Sequence, residues 1–91
     1  MESEQLRIFA AVAKYKSFSE AARRLYISHS TTSRAVSALE KELDLRLVER
    51  DNRVIDLTAA GKLLAEEAAR LLELEQEIAE RVKSAAKAEE N

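Results

Sequence analysis

The fold is decided by residues 19–40, SEAARRLYISHSTTSRAVSALE, which predict two short helices joined by a sharp turn. Ser19 is a residue type that commonly caps a helix N-terminus, so the first helix is predicted over about 20–25. Its inner edge would consist of small and apolar side chains: Ala21, Ala22 and Leu25. The turn is Tyr26-Ile27-Ser28, and Ser28 is expected to cap a second helix over about 29–43.

The second helix of this pair has two faces of different character. Its predicted buried stripe is, at helical spacing, Thr32, Val36, Leu39 and Leu43. The opposite face carries small polar groups, one imidazole and one guanidinium: His29, Ser30, Ser33, Arg34 and Ser37. Serine and threonine compete for backbone hydrogen bonds, so this segment would be a poor helix in isolation. Tertiary packing must hold it, and the polar face is the candidate functional surface.

A further helix is predicted before this pair, over residues 3–15. One face of it carries Leu6, Phe9, Ala10 and Ala13, and a different face carries Ile8 and Val12. A helix that is apolar on two sides must bury both of them. Two interpretations stay open: the domain wraps this helix on both sides, or a partner covers one of them.

Beyond residue 44 the spacing of the apolar residues changes. Residues 45–57, LRLVERDNRVIDL, predict a two-stranded wing with Asp51-Asn52 at its turn. Thr58 then caps a long helix predicted over 59–87, and residues 88–91 are expected to be disordered. The predicted fold class is therefore mainly α: a winged helix-turn-helix over residues 1–58, with three helices and a two-stranded wing, followed by a long helix.

The long helix is far longer than the rest of the domain is wide, at roughly 45 Å for 30 residues. Apolar residues recur along it at near-heptad spacing, and its second half has nothing in this chain to pack against. We expect it to form a coiled-coil arm between two copies, through Leu71, Leu74, Ile78 and Val82. The alternative is a solvated, partly frayed helix.

Charge is unevenly distributed over the 91 residues, whose net charge is −2. Residues 14–34 hold five basic side chains against Glu20 alone, a local charge of +4. Residues 58–91 hold five basic and eight acidic side chains, a local charge of −3. A basic patch at the helix pair favours a polyanionic partner there, whatever the sign of the whole chain.

Composition argues against several other classes of protein. There is no cysteine and only one histidine, so disulfides are excluded and neither a metal site nor another cofactor is expected. The serines lack a base placed to activate them, and no glycine-rich phosphate loop is present, so an enzyme is not expected. The sequence has no apolar run long enough for a membrane span and no signal peptide, so we expect a cytoplasmic protein without membrane contact.

Three segments resemble the N-terminal DNA-binding domain of LysR-type transcriptional regulators: LRIFAAVAKYKSFSEAARRLYIS, SRAVSALEKELDLRLVER and LTAAG, within residues 6–61. Residues 62–87 resemble the linker helix of this family, which mediates dimerisation. The resemblance implies a bacterial transcription regulator that binds inverted-repeat, double-stranded DNA as a homodimer. It also implies an effector-binding domain that this chain lacks, so we expect a fragment of a longer regulator and no small-molecule effector within these residues.

The sequence departs from the family pattern at four places. Lys16 stands where glycine is usual, and Asp44 replaces the glycine that commonly ends the second helix of the pair, so another cap geometry is expected there. Val48 stands where phenylalanine is common. His29-Ser30 replaces a glutamine-proline pair at the start of that helix, which puts the preferred DNA sequence in doubt.

The DNA-binding roles follow from the geometry of the motif, in which the second helix enters the major groove N-terminus first. We expect base contacts from His29, Ser30, Ser33 and Arg34. The guanidinium of Arg34 can pair with guanine O6 and N7, or could instead bind a phosphate or an acidic side chain. Arg53 at the wing tip is expected in the minor groove, and the alternative is an exposed turn residue without a DNA contact. Phosphate contacts are expected from the following hydroxyl and guanidinium groups: Ser17, Ser19, Ser28, Thr31, Ser37 and Arg50.

A second hypothesis belongs to a different class of protein. The helices could bind another protein, and the long helix could serve as a structural coiled-coil arm. Substitution of Arg34 and Arg53 distinguishes the two hypotheses. An unchanged affinity for duplex DNA would favour the interaction module over the transcription regulator.

Overall fold

The computed structural model describes residues 1–51 and 54–90. The elements follow one another as α1 (Ser3–Tyr15), α2 (Phe18–Leu25), α3 (His29–Leu43), β1 (Val48–Asp51), β2 (Val54–Leu57) and α4 (Ala59–Glu90). The two strands pair antiparallel, with Val48 opposite Leu57 and Arg50 opposite Ile55. This confirms the predicted fold class of three helices and a two-stranded wing followed by a long helix.

Helix α1 lies at the centre of the fold, in contact with α2, α3 and the first half of α4. Phe9 and Val12 are fully buried, and Leu6 and Ile8 are nearly so. Ala68 of α4 is buried in the same hydrophobic core. The large apolar residues of both faces are therefore covered by this chain, which favours the interpretation in which the domain wraps the helix, while Ala10 and Ala13 are half-buried.

Helix α2 begins two residues earlier than the sequence predicted. Its N-cap is Ser17, whose Oγ accepts a hydrogen bond from the backbone N–H of Glu20 at 3.0 Å. Lys16 ends α1 in a left-handed conformation and leaves Ser17 in extended backbone, the geometry that a capping residue requires. Ser19 is consequently inside the first turn of α2, and its predicted role as the N-cap is wrong.

Helix α3 begins and ends where the sequence predicted. The Ser28 Oγ accepts from the N–H of Thr31 at 3.0 Å, so Ser28 is the N-cap. The predicted buried stripe is confirmed at three of its positions, Thr32, Val36 and Leu39. Leu43 is 36% exposed, because it is the last residue of α3 and lies beyond the core. Ala35 is buried instead, which the stripe did not include.

The first three helices all end at a residue with left-handed backbone, and in this chain none of those residues is glycine. The φ angles are 50° at Lys16, 58° at Tyr26 and 55° at Asp44. The N–H of Asp44 bonds the carbonyl of Lys41 at 3.3 Å, and the N–H of Leu45 bonds that of Glu40 at 3.1 Å. The expectation of a different cap at Asp44 is therefore wrong, because these two bonds satisfy the helix end in the geometry that glycine would use.

Glycine at these helix ends should stabilise the protein. Left-handed backbone costs a non-glycine residue roughly 1–2 kcal/mol, and glycine avoids this cost. Part of the gain is offset because glycine also raises the conformational entropy of the unfolded chain. We expect Lys16→Gly and Asp44→Gly each to raise the free energy of unfolding by about 0.5–1 kcal/mol, measured by urea denaturation. Lys41→Gly, inside α3, is the control and should lower it by about 1 kcal/mol. A loss at Lys16 as large as that at Lys41 would contradict the argument.

The wing and α4 meet at the peptide groups of Arg46 and Leu47. The Thr58 Oγ1 donates to the Arg46 carbonyl at 2.7 Å and accepts from the N–H of Gly61 at 3.0 Å, which confirms Thr58 as the cap of α4. The Thr58 N–H donates to the Leu47 carbonyl at 3.0 Å. Leu47 is buried, and the segment that leads into β1 therefore packs directly on the first turn of α4.

Helix α4 continues to Glu90, past its predicted end at residue 87. Residues 88–90 are therefore helical where disorder was expected, because alanine and glutamate are strong helix formers and no glycine or proline interrupts them. The molecule measures 59 × 25 × 18 Å along its principal axes. From Leu71 onward α4 forms an arm whose large apolar residues are exposed: Leu71, Leu74, Ile78 and Val82.

Candidate nucleic-acid interface

The polar face of α3 lies outside the core along most of its length. His29, Ser30, Arg34 and Ser37 are exposed, and Ser33 is half-buried. The opposite face is fixed by residues that are fully buried: Thr32, Val36 and Leu39. The Thr32 Oγ1 donates to the Ser28 carbonyl at 3.0 Å, so even the buried hydroxyl is satisfied. The result is a helix that is anchored by its buried face and presents polar side chains to solvent.

Arg34 is the exposed cation of this face. Among the residues that the structure describes, its side chain makes no ion pair and no hydrogen bond. The described residues therefore do not supply the acidic partner that the sequence left open as an alternative. Its five N–H donors are available to a planar acceptor such as the edge of guanine or a phosphate.

The hydroxyl groups expected to bind phosphates differ in how they are used within the protein. Ser17 and Ser28 are N-caps, and the Ser28 Oγ also donates to the Thr31 Oγ1 at 2.8 Å. Ser19 and Ser37 are exposed, at the first turn of α2 and in the middle of α3. Four of these hydroxyls thus lie at helix N-termini, where backbone N–H groups favour an anion.

Arg50 has a contact that the sequence did not predict. Its guanidinium carbon lies 4.6 Å from the ring centroid of Phe18, in the geometry of a cation–π interaction. The ring of His29 lies 6.1 Å from Phe18 with an interplanar angle of 44°. Phe18 itself is buried in the core at the first position of α2. Residues 18 and 50 are 32 positions apart, and no local periodicity connects them.

The basic side chains of α2 are tied to one carboxylate. Arg23 and Arg24 donate to Glu20 through their Nε atoms at 3.2 and 2.9 Å. Hydrogen bonds from Arg23 and then Arg24 lower the pKa of Glu20. The Arg24 guanidinium also lies over the ring of Tyr15, at 4.9 Å from its centroid. These cations are thus held on the surface of α2, with one of their charges balanced locally.

Arg53, which the sequence assigns to the minor groove, lies outside the described residues, as does Asn52 of the predicted turn. Within residues 1–51 and 54–90, no three acidic, histidine or cysteine side chains are arranged to hold a metal ion. None of the helices in the described part of the chain combines the length and apolar character that crossing a membrane requires.

Comparison with known proteins identifies the family of this fold. The family model described as "Bacterial regulatory helix-turn-helix protein, lysR family" matches residues 3–62. The chain belongs to the LysR family. Its relatives include the HTH-type transcriptional regulator TfdT of Cupriavidus pinatubonensis, 42% identical over 89 residues, and ClcR of Pseudomonas putida, 49% identical over 72 residues.

The chain spans less than half the length of these two relatives but nearly the whole length of two solved structures. The matches cover 98% of this chain and 39% of TfdT, and 79% of this chain and 24% of ClcR. The crystal structure of the CbnR_DBD-DNA complex is 43% identical, with a TM-score of 0.90 and coverage of 94% of this chain and 99% of that one. The BenM_DBD/catB site 1 DNA complex is 35% identical, with a TM-score of 0.91 and coverage of 94% and 96%.

Proposed function

We propose that this chain is the DNA-binding part of a LysR-type transcriptional regulator that binds inverted-repeat duplex DNA as a homodimer. The observation that carries the proposal is the exposed polar face of α3 on a helix whose other face is locked into the core. Two related structures of this fold, the CbnR_DBD and BenM_DBD structures, are complexes with DNA. Residues 1–58 would bind DNA, and residues 59–87 would serve as the linker and dimerisation helix.

The recognition helix, α3, enters the major groove from its N-terminus in this proposal. His29, Ser30, Ser33 and Arg34 contact base edges there, and Arg53 of the wing enters the adjacent minor groove. Phosphates are bound by the remaining polar groups of the surface: Ser17, Ser19, Ser28, Thr31, Ser37 and Arg50. Cytoplasmic location, regulation without catalysis, and control by a small molecule through a domain outside these residues belong to the same proposal.

Arg34→Ala should weaken binding to the preferred DNA sequence by roughly 10- to 100-fold, the value of one bidentate guanine contact. The preferred duplex is first selected in vitro from random DNA, and affinity is then measured by fluorescence anisotropy over a range of salt concentrations. Lys41→Ala removes an exposed cation from the other end of α3 and is the matched control. If wild type and Arg34→Ala bind the selected duplex with equal affinity, base recognition by Arg34 is contradicted and a protein-interaction module is favoured.

The exposed apolar residues of α4 predict a second experiment. Ile78→Glu combined with Val82→Glu should convert a dimer to a monomer, because four carboxylates would face one another across the coiled coil. Sedimentation velocity measures the change directly. Gln76→Glu with Ser84→Glu adds the same charges at polar positions of the arm and should leave the dimer intact. A wild-type chain that is monomeric at high micromolar concentration would contradict dimerisation through α4.

A further inference from the structure

The ring of Phe18 connects the three elements to which the proposed function assigns DNA contacts. Phe18 is the first residue of α2, His29 is the first residue of α3, and Arg50 lies in β1. The guanidinium carbon of Arg50 lies 4.6 Å from the ring centroid, and the imidazole of His29 lies 6.1 Å from it. Phe18 is only 7% exposed and belongs to the core. The fold therefore fixes this ring, and the ring can fix its two neighbours.

A guanidinium held over an aromatic ring by a cation–π interaction spends none of its N–H donors on a hydrogen bond to that ring's substituents, so they can bind another partner. Arg50 is exposed, and no carboxylate among the described side chains pairs with it. Its donors consequently remain available, and their planar fork matches the oxygens of a phosphate. An arginine that is already ordered loses less conformational entropy when the phosphate binds.

We propose that Phe18 is a positioning residue of the DNA interface, whose ring holds the Arg50 guanidinium ready for a DNA backbone phosphate beside the start of α3. The inference rests on the proposed function and deepens it. Phe18 acts through Arg50 and does not itself contact DNA. Lysine in place of Arg50 would keep the charge but lose the planar face that stacks on the ring.

A double-mutant cycle tests the proposal with the 91-residue chain and the duplex selected in vitro. The four proteins are wild type, Phe18→Leu, Arg50→Lys and the double variant. Each single substitution should weaken binding by roughly two- to tenfold, the effect of ordering one long side chain. The double variant should bind no more weakly than the weaker single variant, because both changes remove the same interaction.

Salt dependence separates positioning from contact. The slope of log affinity against log salt should stay unchanged in Phe18→Leu and Arg50→Lys, because the phosphate contact persists. It should become shallower by about 0.9 in Arg50→Ala, which removes one phosphate contact. Phe18→Tyr keeps the aromatic face and should bind DNA as the wild type does.

Additive losses in the double variant would overturn the proposal, because Phe18 would then act through packing alone. If Phe18→Leu does not fold at the assay temperature, Arg50→Lys decides: weaker binding with an unchanged slope supports the proposal, and wild-type affinity overturns it. Failure of the proposed function itself would look different. The wild-type chain would then prefer no duplex over another, and Arg34→Ala would bind as the wild type does.

Discussion

Gly61→Ala is expected to destabilise the protein by about 3 kcal/mol or more, the upper range for forcing extra atoms into a packed site. A Cβ atom at Gly61 would lie 2.0 Å from the carbonyl oxygen and 3.0 Å from the carbonyl carbon of Leu47. The atoms in the way belong to the backbone, so no side-chain rotation can relieve the clash. Leu47 cannot withdraw easily either, because its carbonyl accepts from Thr58 and its side chain is buried.

The predicted loss of stability in Gly61→Ala is opposite in sign to the usual effect of this substitution in a helix, which makes it a clear test. Glycine to alanine inside a helix normally stabilises by about 1 kcal/mol. Thermal and urea denaturation of Gly61→Ala measure the loss, and Lys62→Ala, at the neighbouring exposed position, should change stability by less than about 0.5 kcal/mol. A Gly61→Ala protein as stable as the wild type would show that α4 does not press on Leu47.

Glu40→Ala is expected to cost about 2 kcal/mol of stability, because a charge-assisted hydrogen bond is lost and buried N–H groups remain unpaired. The half-buried Glu40 Oε2 accepts from the N–H of Leu47 at 2.8 Å and from that of Val48 at 3.4 Å. It therefore fastens α3 to the first strand of the wing. Loss of this link should also weaken DNA binding, since the wing would no longer be held against α3.

Two further variants make the Glu40 experiment specific. Glu42→Ala removes a carboxylate from the same helix, where it pairs with the N-terminal amino group at 2.6 Å on the surface. An exposed pair of this kind contributes at most about 1 kcal/mol. Glu40→Gln keeps an acceptor oxygen and should recover part of the stability. Equal losses for Glu40→Ala and Glu42→Ala, measured by urea denaturation, would contradict the proposed link to the wing.

The sequence predicted α3 well because its information is local. Ser28 supplies the cap, and Thr32, Val36 and Leu39 repeat at helical spacing, so the sequence predicted both the cap and the buried face correctly. The end of the buried stripe was not predicted correctly, because the exposure of Leu43 depends on where the neighbouring helices stop. Helical spacing says which residues share a face but not how far the core extends along it.

The remaining differences arise from contacts between distant parts of the chain. Phe18 and Arg50 meet only after the wing folds against α2. Nothing near Glu40 in the sequence indicates that its carboxylate accepts backbone N–H groups seven and eight residues later. The family pattern also misled at Asp44, since a missing glycine did not mean a missing left-handed cap.

The hydrogen bonds of the Leu47 backbone bear on the spacing between the two halves of an inverted-repeat DNA site, called half-sites here. The Leu47 N–H is held by Glu40 of α3, and its carbonyl is held by Thr58 at the start of α4. The two backbone groups of Leu47 thus link α3, through the Glu40 carboxylate, to the start of α4, through the Thr58 N–H. In a dimer, the distance and angle between the two recognition helices, α3 and its copy, would be set by how the two α4 helices pair. Changing the register of the arms would then change which separation of half-sites is bound, with no substitution in α3.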